Sequence, residues 1–213
     1  MKAIRLDILF EDKHILVVNK PAGLLTVGTE KEKDNTLYHQ VYLYLKKKNQ
    51  RVFLIHKLDK DASGLVLFAK SEKAKMILQD NMDKVIRKYY AICYGNGMRN
   101  TGCIKVRLSE TKTLLTYVDD NGKESTTLYH LIKNVGKYNL VEIEPLTSRR
   151  NQIRVSMNHI GFPILGDKKY GKAPNPLRRL CLDAYLLEFN HPITHEHKKI
   201  EIPYSKIYDN LLK

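Results

Sequence analysis

A chain of 213 residues, 43% of them hydrophobic and without any low-complexity tract, is long enough to bury a real core and is not a disordered polypeptide. Its 37 Lys and Arg against 23 Asp and Glu give a formal net charge of +14 and a pI near 9.6, which points to a polyanion partner, nucleic acid first, over a merely solvated lysine surface. No run approaches the roughly 20 apolar residues of a membrane helix, Asp7 and Glu11 come too early for a signal peptide, and Cys93, Cys103 and Cys181 lack the close pairing of a zinc site or disulfide framework. A cytoplasmic chain is expected, with these thiols reduced and in the core or half-buried.

Ile4, Leu6, Ile8 and Phe10 alternate with Arg5, Asp7 and Leu9, which predicts a strand, and residues 15–18 predict a second after a polar turn. Lys20-Pro21-Ala22-Gly23 reads as a plain Pro-Gly turn. Leu37, Val41, Tyr44 and Leu45 fall at helical spacing, so a helix is predicted over 35–48, capped by Asn35 and ending in Lys46, Lys47 and Lys48, where the dipole favours cations. Of Tyr38, Tyr42 and Tyr44, at least two are expected to cover the core rather than stack on bases. Residues 52–55 and 64–69 are short apolar runs that read as buried strands. Between them His56, Lys57, Asp59, Lys60, Asp61 and Ser63 crowd into one connection, the kind of place where sites on rigid scaffolds lie. Ser71 then starts a second helix with an inner face of Ala74, Ile77, Leu78 and Met82.

Residues 87–95, 102–108, 114–118, 125–133 and 138–144 read as strands, with Asp120-Asn121-Gly122 as a hairpin signal between two of them. Two helices precede this run and one follows, so the fold class is α+β, with a mostly antiparallel central sheet and flanking helices. The third helix is predicted to be capped by Thr147 or Ser148 and to bury Ile153, Met157 and Ile160, while Arg150 and Arg154, four apart, share another face. With Arg149 they make a receiver for phosphate or carboxylate. Asp167, flanked by Gly166, reads as a turn residue rather than a second catalytic carboxylate. Residues 180–189 give the last long strand, and His195 and His197 beside Glu196 fit a surface hairpin better than a metal site.

Several of these segments resemble one family. His-Lys-Leu-Asp-Lys-Asp-Ala-Ser-Gly-Leu-Val-Leu-Phe-Ala-Lys, residues 56–70, is similar to the central motif His-Arg-Leu-Asp-x-x-Thr-Ser-Gly-Leu-Leu-Leu-x-Ala-Lys of the RluA-type RNA pseudouridine synthases, with Lys57 for Arg and Ala62 for Thr. Lys lacks the planar fork of Arg. Lys20-Pro21-Ala22-Gly23 is similar to a Lys-Pro-Ala-Gly turn that stands near the family's active cleft, and Arg87-Lys88-Tyr89-Tyr90-Ala91 resembles the family's Lys-x-Tyr-x-Ala. Thr147-Ser148-Arg149-Arg150-Asn151-Gln152-Ile153-Arg154 resembles Thr-Gly-Arg-x-His-Gln-Ile-Arg, with Ser148 for Gly, Asn151 for His, and Ser156 for a frequent second His. Residues 161–171 follow the family's Gly-x-Pro-x-x-Gly-Asp-x-x-Tyr-Gly, and Leu182-Asp183-Ala184 stands where Leu-His-Ala is usual, so that Asp183 adds an unexplained charge.

The resemblance implies a pseudouridine synthase fold, read as a single catalytic domain over 1–213 with no separate N-terminal RNA-binding domain. It implies Asp59 as the catalytic residue, Arg154 as its partner, Tyr89 as a ring against the uracil, and Lys57, Arg149 and Leu182 as substrate or RNA contacts, to which the arginine cluster adds Arg150. It implies uridine-to-pseudouridine isomerisation in structured RNA, ribosomal (large-subunit) or transfer RNA, by a monomer. Asp59 would act as nucleophile or as the base that takes a ribose proton. No Gly-rich nucleotide loop or metal cluster stands in the sequence, and no cofactor is expected. A non-catalytic RNA-binding or RNA-folding protein on the same scaffold is the alternative, and a base-removing N-glycosylase a third reading.

Overall fold

The computed structural model describes residues 6–30 and 32–213. The α+β class follows from its strands and three α-helices, two before the long run of strands and one after. The chain forms two compact units, the first made of residues up to Ile86 and Leu186–Ile202, the second of Arg87–Tyr185 and Pro203–Lys213.

In the first unit β1 (Asp7–Glu11) and β2 (Ile15–Lys20) pair antiparallel. Asp12 shapes their turn by accepting from the backbone N–H groups of His14 and Ile15 at 2.7 and 2.8 Å. Ile4, placed in the first strand by its alternation, lies outside the described residues. β4 (Ser63–Ala69) pairs with β2 from Gly64 to Ala69, and its far end also pairs with β3, which is only Phe53–Leu54. A strand flanked on both sides and covered on both faces needs apolar residues at successive positions, and Leu65 to Ala69 are all fully buried.

The helix α1 (Leu37–Lys46) buries Leu37, Val41 and Leu45 as the spacing predicts. Its cap is Thr36 rather than Asn35, because the Thr36 hydroxyl is the group three residues before the open His39 N–H, which it receives at 3.1 Å. Tyr38 and Tyr44 are half-buried and Tyr42 is exposed. In α2 (Glu72–Asp80), Ser71 is the cap, and Ala74 and Leu78 are buried. They pack with Ile15, Val17, Leu65 and Leu67 and with Leu187 and Phe189 from β10 (Leu182–Asn190). Each such aliphatic side chain stabilises the fold by about 1.5–3 kcal/mol when fully buried. The second half of β10 pairs with β11 (His197–Glu201), which makes the segment of His195 and His197 the expected hairpin.

In the second unit β5 (Ile86–Tyr94), β9 (Tyr138–Pro145), β8 (Lys123–Val135), β6 (Thr101–Glu110) and β7 (Thr116–Val118) lie in the order β5-β9-β8-β6-β7. All these neighbours are antiparallel. The Asp120-Asn121-Gly122 turn does not close a hairpin of its two flanking strands. Both pair with β6 instead, Leu108 facing Val118 on β7 and Lys123 on β8. The chain thus crosses over β6 at this turn, and a Cβ on Gly122 would come within 2.5–2.7 Å of the Leu108 backbone, so only glycine fits. Cys93 and Cys181 are buried, but Cys103 on β6 is exposed, outside the expected core or half-buried setting.

The helix α3 (Gln152–His159) starts differently from the prediction. Asn151 precedes it in the left-handed region (φ 49°, ψ 22°), and neither Thr147 nor Ser148 caps it. Gln152 does the work from inside: its Oε1 accepts from the Thr147 hydroxyl at 2.9 Å and the Arg149 N–H at 3.0 Å, while its Nε2 donates to the Thr126 carbonyl and Thr127 hydroxyl. The helix is buried from Gln152 to Met157, nearly all round, and Ile160 is half-buried beyond its end.

Candidate active site

Asp59 stands half-buried in the loop between β3 and β4, and both of its chain neighbours are pinned through their backbones. On one side, the Thr26 hydroxyl donates to the Leu58 carbonyl at 2.6 Å and accepts the Leu58 N–H at 3.2 Å. On the other, the Lys60 carbonyl accepts from Lys20 Nζ at 3.0 Å and from the Gly23 N–H at 2.9 Å. His56 Nε2 fixes the loop's entry by accepting the Leu67 N–H at 3.2 Å. A carboxylate whose backbone is held on both flanks loses little entropy when it is brought to bear on a substrate.

Lys20 corrects the plain-turn reading of residues 20–23. It ends β2 fully buried, and its ammonium donates to the carbonyls of Pro21, Leu24, Lys60 and Ala62 at 2.7–3.0 Å. A cation removed from water needs such satisfaction. The clamp joins the 20–24 turn to the Asp59 loop. Thr26 carries no signal in the sequence, whereas Lys20 opens the Lys-Pro-Ala-Gly pattern of the family and closes a largely apolar strand. Lys57 is exposed on the same loop.

The other candidates lie in the second unit. Tyr89 is buried on β5, opposite Ile143 of β9. Leu182, first residue of β10, is also buried. Arg149 is exposed, its Nε donating to the Glu124 carbonyl at 3.0 Å. Arg150 and Arg154 do not share a face as predicted. Arg150 precedes the helix and is exposed, 3.9 Å from Glu110, whereas Arg154 turns inward. Its Nε donates to Asp167 Oδ2 at 2.8 Å and its Nη2 to Asp167 Oδ1 at 2.7 Å, with only 6% and 1% of the two side chains exposed.

Asp167 is the turn residue expected, since Oδ1 also accepts the N–H groups of Lys169 and Tyr170, and it is an ion-pair partner as well. Burial alone would raise its pKa, but the Arg154 guanidinium and the two backbone donors hold it below the usual carboxylate range. The charge of Asp183 is explained too: Arg179, four residues earlier, pairs with it. Among the described residues, no group of three or more His, Cys, Asp or Glu is placed to hold a metal ion, and no helix is long and apolar enough to cross a membrane.

The profile of the RNA pseudouridylate synthase family matches residues 14–159, a span that includes Asp59, Tyr89 and Arg154. The chain is 38% identical over 171 residues to the ribosomal large subunit pseudouridine synthase C of Rickettsia typhi, covering 77% of this chain and 56% of that one. An uncharacterized RNA pseudouridine synthase of Bacillus subtilis, YhcT, is 34% identical over 216 residues, covering 98% of this chain and 72% of its own length. The chain thus spans little more than half the length of the rickettsial relatives. Among solved structures, human RNA pseudouridylate synthase domain containing 1 superposes with a TM-score of 0.79 at 22% identity, over 95% of this chain and 85% of that one, which shows a common fold.

Proposed function

Because the chain belongs to the RNA pseudouridylate synthase family, we propose that it isomerises uridine to pseudouridine in RNA, with Asp59 as the carboxylate that carries the reaction. The observation that supports this most is the Asp59 loop, in which the family's aspartate stands between two residues whose main chain is fixed by Lys20, Gly23 and Thr26. The glycosidic bond breaks, the uracil turns, and a carbon–carbon bond forms to the same ribose carbon, so nothing is gained or lost overall. Asp59 acts as nucleophile or as base through its carboxylate.

In this reading Tyr89 presents its ring to the base, Leu182 is a substrate contact, and Arg154 is the arginine the family pattern pairs with the catalytic aspartate. Lys57, Arg149 and Arg150 contact the RNA. Stacked uracil must be turned out of its helix at a cost of a few kcal/mol. The net charge of +14 offsets that cost through phosphate contacts, so activity falls as salt rises. The names of the relatives favour large-subunit ribosomal RNA as the substrate, and in this reading the enzyme works in the cytoplasm as a monomer without a cofactor.

The test is mass-spectrometric mapping of pseudouridine in total RNA from cells with and without the gene, complemented by wild type or Asp59→Ala. One or a few sites vanish, and only the wild type restores them, while Asp59→Ala keeps RNA affinity within a few-fold. If Asp59→Ala restores the sites, or none is lost, the chain is a non-catalytic RNA-binding protein. Release of free uracil would make it a glycosylase.

A further inference from the structure

We infer that Asp167 is a positioning residue for the isomerisation, gripping Arg154 in two places so that its guanidinium acts from one fixed direction. This rests on the proposed role of Arg154. The turn around Asp167 uses Oδ1, which accepts from Lys169 N at 2.8 Å and Tyr170 N at 3.1 Å. Oδ2 is not required for that turn, and it receives Arg154 Nε at 2.8 Å. Two parallel bonds to Nε and Nη2 set both the plane and the rotation of the guanidinium, which one bond would not.

The surroundings hold the gripping carboxylate itself. Gly166, at φ 74°, lies where a Cβ would come within 1.9 Å of the Arg179 carbonyl oxygen, so the backbone leading into Asp167 fits closely against its neighbour. The Tyr170 ring lies 5.1 Å from Arg154 Cζ and braces the guanidinium. That ring is tied at its far end as well, its hydroxyl donating to Asn151 Oδ1 at 2.8 Å and accepting the Thr116 N–H at 3.1 Å. An asparagine could serve the turn equally well. It could not serve the grip, because its amide would set N–H groups against one of the guanidinium nitrogens.

The experiment uses the full chain and [5-3H]uridine-labelled total RNA from cells lacking the gene, following tritium release under saturating and subsaturating enzyme. Asp167→Asn is expected to lower the maximal rate at least 10-fold while half-saturation stays within 2-fold. In an Arg154→Met background the same change is expected to cost less than 2-fold, since there is no guanidinium left to direct. Equal losses in both backgrounds, as a folding defect would produce, overturn the inference, as does an unchanged rate. No tritium release by the wild type would overturn the isomerase reading itself, and this inference with it.

Discussion

The Asp59 loop is held through its main chain, whereas the Arg154 helix adds a network of side chains to its main-chain bonds. Around Asp59 the anchors reach for main-chain atoms: Lys20 takes four carbonyls, and Thr26 takes both backbone groups of Leu58. Around Arg154 side chains also meet side chains, Asp167 on Arg154, Tyr170 on Asn151, and Gln152 on Thr147 and Thr127, beside the main-chain bonds the same residues make. A loop held by its backbone tolerates change along its sequence. Ala62, where the family has Thr, contributes a carbonyl to Lys20 and no side-chain bond is needed there. In the helix each departure from the family pattern takes up a partner of its own: Asn151 accepts the Tyr170 hydroxyl, and Ser156 accepts from Thr127 at 3.4 Å.

The hardest blow to this contrast would come through Lys20. Replacing it with Met strips a buried cation from four carbonyls, so unfolding in urea should shift by about 3 kcal/mol or more, and activity should fall with it. A stable, active Lys20→Met chain would mean the clamp is ornamental. The two regions should also part company in acid. Because Arg154 and its hydrogen bonds lower the Asp167 pKa, that pair contributes stability above the ordinary aspartate value of about 3.9 and loses it as pH falls through the lower folded value. The stability gap between wild type and Asp167→Asn should therefore close only below about pH 4. The Lys20 clamp holds carbonyls, which do not titrate, so the gap between wild type and Lys20→Met should show no matching acid loss; thermal unfolding at pH 7 and pH 3 checks both. Smallest should be the effect of Lys57→Arg, on an exposed loop position whose backbone is held from elsewhere: activity is retained or raised, measured as tritium release. Complete loss would show that the amine is used in a way the family's arginine is not.

What the sequence made legible was local. The unbroken apolar run of β4, the Ser71 cap of α2, the inner residues of α1 and the α+β order of elements all depend on neighbours within a few positions. So did the motif around Asp59. What stayed hidden depends on partners far along the chain. Nothing near Lys20 announces that the carbonyls of Lys60 and Ala62 are its ligands. The Asp167 turn was readable from Gly166, but its second oxygen answers to Arg154, thirteen residues earlier. The start of α3 misled because Thr147 and Ser148 look like caps, while the actual entry is a left-handed Asn151 with Gln152 reaching back. The Asp120-Asn121-Gly122 turn is a true turn, yet only the whole sheet shows that its strands both serve β6.

The first unit takes Leu187 and Phe189 into its core, although they follow its Ile86 by about a hundred residues of chain belonging to the second. During synthesis, then, the unit that carries Asp59 cannot finish its core until β10 has left the ribosome. A nascent chain halted before β10 would carry the whole aspartate motif on an unclosed scaffold. The order in which the polypeptide is made thus leaves the Asp59 loop on an unfinished unit until β10 has emerged.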